Sequence, residues 1–332
     1  MIRFILWWGV LLGFASCQKS SPAYTQLQGN AQGTTFRIVY DDSVARDFSV
    51  AADSIFRVID HSMSLWDSTS LISLLNANDP AVRADAHYTN VFRRGWEVSE
   101  QTDGRFDCTV GPLVKVWGFS YKKNLPPPDS VQVDSLKRLI GYHKVRLEGG
   151  KLIKENPQIQ IDFNAIAQGY TVDVLADFLK AQGVKNYMVE VGGEVRAEGR
   201  NESGKIWRIG IDKPVDNAAV GRPLQAVVSL DNKSLATSGS YRKFVERDGH
   251  KFSHAIDPHT GYPITHNLLS ISVLAPDCMS ADAYATAFLV MGLEKAIPLA
   301  KEKGLELYGI SAGKDGQLTV YQSAGFAAEA VE

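Results

Sequence analysis

Apolar residues in this chain recur at helical spacing in four segments. Each segment has apolar positions three or four residues apart, and glycines at positions 104, 183 and 292 mark the ends of three of them. Asp162 and Asn164 are candidate N-terminal caps of the third. The pattern predicts helices over residues 49–63, 90–102, the stretch between Asn164 and Gly183, and 280–291.

Short runs of β-branched and aromatic residues between these segments predict strands. They lie at residues 35–40, 187–191, 207–211, 224–230, 243–246 and 270–274. Strands and helices alternate without a regular strand–helix–strand repeat, so we predict a mixed α/β, or α+β, fold. Gly169 inside the third helix costs helix stability, which indicates that a neighbouring backbone approaches closely there.

The N-terminus has the features of an export signal. Arg3 precedes a short apolar run that ends in small residues before Cys17, and the run is too short to span a bilayer comfortably. We predict a lipoprotein signal over residues 1–16, a lipid-anchored tether over 17–30 and one domain over 31–325. An ordinary signal peptide with a chance cysteine is the alternative.

Composition excludes some classes of function. The 332 residues are 45% hydrophobic and carry a formal net charge of −2 with a pI of about 6.4, so nothing attracts nucleic acid electrostatically. Apart from Cys17 there are two cysteines, Cys108 and Cys278, which do not form a disulfide framework. One bridge between them and two buried thiols are both consistent with the sequence.

Two residues of the fourth helical segment suggest a metal site. Asp282 and Thr286 are four positions apart, so the carboxylate and the hydroxyl lie on one face. Such oxygen ligands suit Mg²⁺, which often shares the phosphate oxygens of a substrate. Taken alone, a structural role for Asp282 at the helix N-terminus is the more common case.

His254 is surrounded by groups that suit acid–base chemistry. Ser253, Asp257 and the Thr260-Gly261 turn lie within seven positions, as expected for a general base beside a phosphate. A structural histidine is equally consistent with this pattern. The run Thr237-Ser238-Gly239-Ser240 offers donors for a phosphate oxygen, or forms an ordinary turn.

Three further residues, Trp66, Asp107 and Asp162, could contact a ligand or have a structural role. Trp66 lies in a polar turn, where its ring could stack on a planar ligand or serve as a partly buried anchor. Asp107 and Asp162 follow apolar stretches, and capping is their default role. The chain has neither a G-x-G-x-x-G fingerprint after a strand nor a phosphate loop, so any nucleotide is held by another fold.

Taken together, these segments resemble the ApbE family of bacterial FAD:protein FMN transferases over nearly all of the mature chain. The matching motifs are Gly33-Thr34-Thr35, Met63-Ser64-Leu65-Trp66, Phe106 to Leu113 with Trp117-Gly118-Phe119, Asp162 to Gly169, Val191-Gly192-Gly193, Thr237-Ser238-Gly239, Ser253 to Pro258 with Thr260-Gly261, and Ala281-Asp282-Ala283 with Thr286. Each is weak alone, and their order makes the resemblance specific.

The resemblance implies a central, largely antiparallel sheet with flanking helices. It also implies an enzyme that splits FAD with Mg²⁺, moves FMN onto a Thr or Ser hydroxyl of another protein through a phosphoester bond, and releases AMP. His254 would be the base for that hydroxyl, and Asp282 would be catalytic as a metal ligand together with the Ala165 carbonyl and the Thr286 hydroxyl. The FAD site would be lined by Gln32, Trp66, Arg105, Phe106, Asp107, Asp162, Gln168 and Ile256.

By the same resemblance, the acceptor is a protein with an Asp-Gly-x-Ser/Thr-Gly-Ala-Thr type of sequence, such as a membrane redox subunit. The enzyme would be lipid-anchored in the bacterial cell envelope, facing the periplasm or the exterior. Two positions depart from the family: many members have Lys at the position of Gln168 and Met at that of Gln32. FAD hydrolysis to FMN and AMP, and FAD binding without turnover, are the alternative functions.

Overall fold

The computed structural model describes residues 24–119, 126–215, 223–240, 244–247, 250–313, 315 and 317–331. The strands are β1 (Tyr24–Ala31), β2 (Thr34–Asp41), β3 (Val145–Glu148), β4 (Lys151–Lys154), β5 (Tyr187–Val191), β6 (Glu194–Glu198), β7 (Trp207–Asp212), β8 (Leu224–Leu230), β9 (Lys233–Gly239), β10 (Phe244–Arg247), β11 (His250–Ser253), β12 (Leu268–Ala275), β13 (Glu306–Ala312), β14 (Leu318–Gln322) and β15 (Ala328–Ala330). The helices are α1 (Ser49–Met63), α2 (Leu71–Asn76), α3 (Ala86–Gln101), α4 (Gly111–Val116), α5 (Ser130–Lys137), α6 (Ala167–Ala181), α7 (Cys278–Met291) and α8 (Leu293–Lys303).

Eight strands form one sheet in the order β1-β2-β5-β6-β9-β12-β13-β14. A second sheet has the order β15-β8-β7, and β3-β4 and β10-β11 are separate hairpins. All strand pairings among the described residues are antiparallel. The mixed fold with a largely antiparallel central sheet is therefore confirmed.

The two faces of the large sheet are covered differently. Helices cover one face, where Phe288 of α7 belongs to the same buried cluster as Ile271 and Val273 of β12. The small sheet covers the other face, where Trp207 clusters with Leu235. Alternating side chains of each strand enter opposite cores, as the two-residue repeat of a strand requires. Helices α6 and α7 lie side by side on the face that the helices cover, with α6 against β5 and β6 and α7 against β9 and β12. Most residues of α7 are buried.

Several predicted elements match the structure closely. The helix over residues 49–63 and the strands over 187–191 and 224–230 have the predicted bounds. Helix α3 begins four residues before its predicted start, because the Asp85 side chain accepts a hydrogen bond from the Tyr88 amide at 2.7 Å and caps the helix there.

The predicted caps of α6 were wrong. The helix begins at Ala167, after Ile166, and no side chain caps it. Asp162 accepts a hydrogen bond from the Asn164 amide at 2.8 Å, which closes a local turn before the helix. The residues from Asp162 to Ile166 are therefore a folded loop leading into α6.

The predicted tether over residues 17–30 was wrong for its second half. Strand β1 pairs with β2 along its full length, from Tyr24 opposite Asp41 to Ala31 opposite Thr34. Its exposed polar residues alternate with half-buried ones, as at the edge of a sheet. The signal over residues 1–16 and the lipidation prediction at Cys17 lie outside the described residues. At the other end, β15 pairs with β8 beyond residue 325.

Other elements were absent from the prediction. Thr237-Ser238-Gly239 is neither a turn nor a phosphate loop, because it is the end of β9 and pairs with β12. Helix α8 follows Gly292, so the helix ending at Met291 is not the last one. Strand β6 and the short helices α2, α4 and α5 were also missed.

The two cysteines within the described residues are both free, which decides against the bridge. Cys108 packs against the cluster around α3 and α7, whereas Cys278 belongs to the cluster under β2 and β5. In the part of the chain that the structure describes, no helix has the length and apolar character needed to cross a membrane.

Candidate active site

The centre of the predicted metal site is a close contact between α6 and α7. Asp282 of α7 is 7% exposed, and its Oδ2 accepts a hydrogen bond from the Gly169 amide of α6 at 3.0 Å. A Cβ at position 169 would lie 2.8 Å from Asp282 Cβ and would also strike the Cys278 carbonyl. The close backbone approach predicted at Gly169 is confirmed, because the helices leave no room for a side chain.

This contact changes the hydrogen bonding at the start of α6. In a regular helix the Gly169 amide would donate to the carbonyl four residues earlier, at Ala165. Here the amide donates to Asp282, and no backbone amide of the described residues donates to Ala165 O. The Ala165 carbonyl, a predicted metal ligand, is thereby left without a backbone donor in the loop that leads into α6.

Thr286 completes the predicted set of oxygen ligands. It lies one turn after Asp282 on α7, and its Oγ1 is 3.1 Å from Ser238 Oγ of β9. The neighbouring Thr237 hydroxyl is 2.7 Å from Ser272 Oγ of β12. The hydroxyls of the Thr237-Ser238 segment therefore face α7 and β12, and Ser238 adds a further oxygen beside the predicted ligands.

The environment of Asp282 disfavours its charged form. Burial raises its pKa, the charge of Asp173 raises it further, and the Gly169 amide opposes both effects. The described residues contain no cluster of three or more His, Cys, Asp or Glu side chains suited to a metal. The set here is instead one carboxylate, one hydroxyl and one carbonyl, which are hard oxygen ligands that fit Mg²⁺ with water or phosphate completing its shell.

His254 follows β11 and leads into a tightly folded loop. The His254 side chain is half-buried, and its ring centroid lies 6.3 Å from that of Phe119, edge to face. Within the loop, the Ile264 amide donates to the Ala255 carbonyl at 3.0 Å, and Ile256 is buried. The loop backbone is thus fixed by its own hydrogen bonds directly after His254.

An ion pair joins this loop to the turn after α3. Arg105 Nη1 lies 2.7 Å from Asp257 Oδ2, and both side chains are largely buried. Arg105, Ile256 and the His254 loop are therefore brought together, as the resemblance implies. Asp257 was predicted only as a neighbour of His254, because the sequence does not show which cation it meets.

Asp107 and Asp162 both hold turns together. Asp107 is buried and accepts hydrogen bonds from the amides of Thr109 and Tyr142, each at 2.8 Å. The Asp162 amide donates to the Cys108 carbonyl at 2.7 Å. Phe106 is also buried, so any contact between Phe106 and a ligand would involve its main chain.

Two of the remaining predicted residues, Gln168 and Gln32, lie at turns between strands of the large sheet. Gln168 of α6 lies against the β5–β6 turn, because a Cβ built at Gly192 of that turn would be 3.0 Å from Gln168 Nε2. The Gly192 amide donates a hydrogen bond to the Thr35 carbonyl of β2. Gln32 lies in the β1–β2 turn with a φ of 52°, and its buried Oε1 has no hydrogen-bond partner in the structure. Trp66 is 69% exposed, which excludes the buried-anchor interpretation.

A cavity of about 490 Å³ lies apart from these residues. It is lined by α3, α6, β6 and the start of α7, including Arg94, Asp173 and Arg196, and by none of the predicted site residues. Arg196 pairs with Asp173 at 2.9 Å, and Arg94 donates to Ser280 Oγ at 2.8 Å. The polar groups of this cavity are therefore engaged with one another, and the oxygen-rich contact between α6 and α7 is the better candidate site.

The model of the ApbE family matches residues 32–308. The chain belongs to the ApbE family. A curated relative from Haemophilus influenzae, named FAD:protein FMN transferase, is 36% identical over 98% of this chain and 96% of its own length. The match includes both helices of the α6–α7 contact and the His254 loop.

Solved ApbE structures have the same fold. The flavin transferase ApbE from Vibrio cholerae matches with a TM-score of 0.81 and 32% identity, covering 92% of this chain and 98% of that chain. The apo form of the Pseudomonas stutzeri flavinyl transferase ApbE matches with a TM-score of 0.82 and 31% identity, covering 92% and 96%.

One side chain beside the candidate site, Asp173 of α6, was not predicted. It accepts hydrogen bonds from the Cys278 and Met279 amides at the start of α7. Ser238 was predicted as a possible donor to a phosphate oxygen, and its hydroxyl lies 3.1 Å from Thr286 Oγ1. Gly169 and Asp173 are four residues apart, so they lie on one face of α6. Because a close approach was predicted at Gly169, this spacing could have indicated that Asp173 faces the same neighbour. Its partners could not be read from spacing, because they lie more than a hundred residues away.

Proposed function

We propose that this chain is a Mg²⁺-dependent FAD:protein FMN transferase, which moves the FMN half of FAD onto a Ser or Thr hydroxyl of an acceptor protein and releases AMP. One observation carries the proposal. The Gly169 amide at the start of α6 donates to buried Asp282 of α7, which leaves the Ala165 carbonyl without a backbone donor, and Thr286 lies one turn after Asp282. Curated relatives with this family's sequence are named for the same reaction.

The reaction replaces the phosphoanhydride bond between the two phosphates of FAD with a phosphoester bond to the acceptor hydroxyl. The acceptor oxygen bonds to the phosphorus on the FMN side, and the bond between that phosphorus and the bridging oxygen breaks. The bridging oxygen leaves with AMP, and the hydroxyl proton passes to an imidazole nitrogen of His254. When bound, Mg²⁺ supplies positive charge that offsets the charge of the pyrophosphate.

The other site residues position FAD. Trp66 offers an exposed ring face to the flavin or adenine, and the Arg105–Asp257 pair fixes the loop that carries His254. Gln168 contributes a neutral amide where many family members have Lys, so it can only form hydrogen bonds with the ligand. We expect the acceptor to have an Asp-Gly-x-Ser/Thr-Gly-Ala-Thr type of sequence and to be a membrane redox subunit.

The test combines the purified chain with FAD, Mg²⁺ and an acceptor of that sequence type, and measures the mass of the acceptor. We expect one FMN to be added. His254→Ala and Asp282→Ala should each abolish the adduct. Matched controls are His61→Ala, at an exposed histidine of α1, and Asp177→Asn, at a carboxylate that is 66% exposed. Both controls should keep activity.

The other outcomes separate the competing functions. AMP release without acceptor would indicate FAD hydrolysis, and FAD that stays bound and intact in Mg²⁺ would indicate binding without turnover. Full activity of both His254→Ala and Asp282→Ala would contradict the assignment.

We further propose that the mature chain is anchored in the bacterial cell envelope by a lipid on Cys17, with the domain facing the periplasm or exterior. The support is the apolar run that ends in small residues before Cys17. Labelling cells with a radioactive fatty acid should mark the wild-type chain and leave Cys17→Ser unlabelled. Equal labelling of both would disprove the anchor.

A further inference from the structure

Helices α6 and α7 exchange hydrogen bonds in both directions. Asp282 of α7 accepts from the Gly169 amide of α6, as described above. In return, Asp173 of α6 accepts from the Cys278 amide at 3.0 Å and the Met279 amide at 2.8 Å, at the first turn of α7. We call these three bonds the α6–α7 clasp.

The clasp constrains α7 more than an ordinary cap would. Asp277 already caps the helix from within its own chain segment, by accepting from the Ser280 amide at 2.8 Å. The two amides before Ser280 donate to a different helix. A cap on the same segment would move with α7, whereas Asp173 fixes the position of α7 along and around its axis relative to α6.

The large sheet holds Asp173 in place. Arg196 of β6 donates from Nη1 to Asp173 Oδ1 at 2.9 Å and lies 3.1 Å from Asp177 Oδ1. Asp173 is 8% exposed, and burial raises its pKa to about 6 in spite of these amide and guanidinium contacts. An apolar residue at this position would leave the Cys278 and Met279 amides and Arg196 without their acceptor, so the carboxylate is needed for the contact with α7.

We propose that Asp173 is a positioning residue of the metal site, because it sets α7 against α6 so that Asp282 and Thr286 meet the Ala165 carbonyl. The proposal rests on the Mg²⁺ site described under the proposed function. Mg²⁺ demands near-ideal octahedral geometry, so a small shift of α7 would remove a ligand.

The test measures Mg²⁺ binding directly, through the rise in melting temperature of the full chain over a titration with MgCl₂. Asp173→Asn should raise the half-saturating Mg²⁺ concentration about tenfold, at the low end of the effect typical for residues that orient metal ligands. The matched control is Asp177→Asn, which removes the same charge from the same helix and the same arginine but makes no bond to α7. It should change the value by less than about twofold.

The outcomes are distinct. A wild-type Mg²⁺ response in folded Asp173→Asn would overturn the positioning role, and so would an equal loss in Asp177→Asn. If Asp173→Asn does not fold, Arg196→Gln is the second variant. Arg196→Gln keeps the clasp but removes the ion pair that holds the Asp173 carboxylate in place. It should raise the half-saturating Mg²⁺ concentration by less than Asp173→Asn does. An unchanged concentration in Arg196→Gln would overturn the role. No Mg²⁺ response in the wild type would instead contradict the proposed metal site itself.

Discussion

The two sides of the candidate site are built in different ways. On the proposed metal side, comprising Ala165, Gly169, Asp282 and Thr286, buried polar atoms bond from one element to another, and Asp282 is 7% exposed. On the flavin side, comprising Trp66, Arg105 and the His254 loop, the groups lie on turns, and Trp66 is 69% exposed. The packing of α6 on α7 therefore organises the metal side before any ligand binds, whereas the exposed ring of Trp66 is available to a ligand without rearrangement of the core.

The comparison predicts the largest effect at Gly169. Gly169→Ala should lower the free energy of unfolding by about 3 kcal/mol, because the new Cβ meets the backbone of α7, and this outweighs the gain of about 1 kcal/mol in helix propensity. The Mg²⁺-induced rise in melting temperature should also disappear. Thermal unfolding with and without Mg²⁺ measures both.

Gly111→Ala is the matched change near the flavin side. A Cβ there would lie 3.4 Å from Asp162 Cβ, an ordinary contact, so stability should change by less than about 1 kcal/mol. Equal losses for the two alanine variants would show that the two sides do not differ in packing.

A second prediction concerns pH and the clasp. The pKa of Asp173 is about 6 in the folded chain against an ordinary 3.8, so the folded state binds the proton more tightly than the unfolded state. Proton binding by Asp173 therefore stabilises the folded state. This contribution to the free energy of unfolding is fully present below about pH 4 and is lost as pH rises through about 6. Relative to Asp173→Asn, the wild type should lose about 1 kcal/mol between pH 5 and pH 8 in metal-free buffer.

Urea unfolding of both proteins at the two pH values measures this difference. Asp177→Asn is the control, since Asp177 is mostly exposed and should leave the pH dependence unchanged. A constant difference between wild type and Asp173→Asn would contradict a raised pKa.

The smallest effect on stability is expected at Trp66. Trp66→Ala should change the free energy of unfolding by less than about 0.5 kcal/mol, because the side chain is mostly in solvent. It should weaken FAD binding about tenfold through loss of ring stacking, and Trp66→Phe should recover much of the affinity. Quenching of flavin fluorescence measures binding, and unchanged affinity in Trp66→Ala would remove Trp66 from the site.

Local patterns predicted local features well. The four-residue spacing of Asp282 and Thr286 placed both on one helix, and the costly glycine at 169 predicted the close approach of a neighbour. Strand β1 was missed because its exposed side chains are polar, and the alternation of an edge strand looks like a polar linker when its partner is unknown.

Contacts between distant segments could not be predicted from spacing. Asp173 bonds to backbone amides of Cys278 and Met279, and backbone amides are present at every position other than proline, so they leave no signal in the sequence. The same holds for the Arg105–Asp257 pair, whose partners are 152 residues apart. In both cases the sequence contains many possible hydrogen-bonding partners, and only the tertiary structure determines which of them is used.

The hydrogen bond from Gly169 to Asp282 spans 113 residues of sequence, and this separation has a consequence for folding. Contacts between distant residues form late, because the entropy of closing a long loop must be offset first by other contacts. A chain still emerging from the ribosome has α6 long before it has α7. The proposed metal ligands therefore cannot come together until β12 and α7 have been synthesised, and a nascent chain that ends before them lacks one half of the α6–α7 contact.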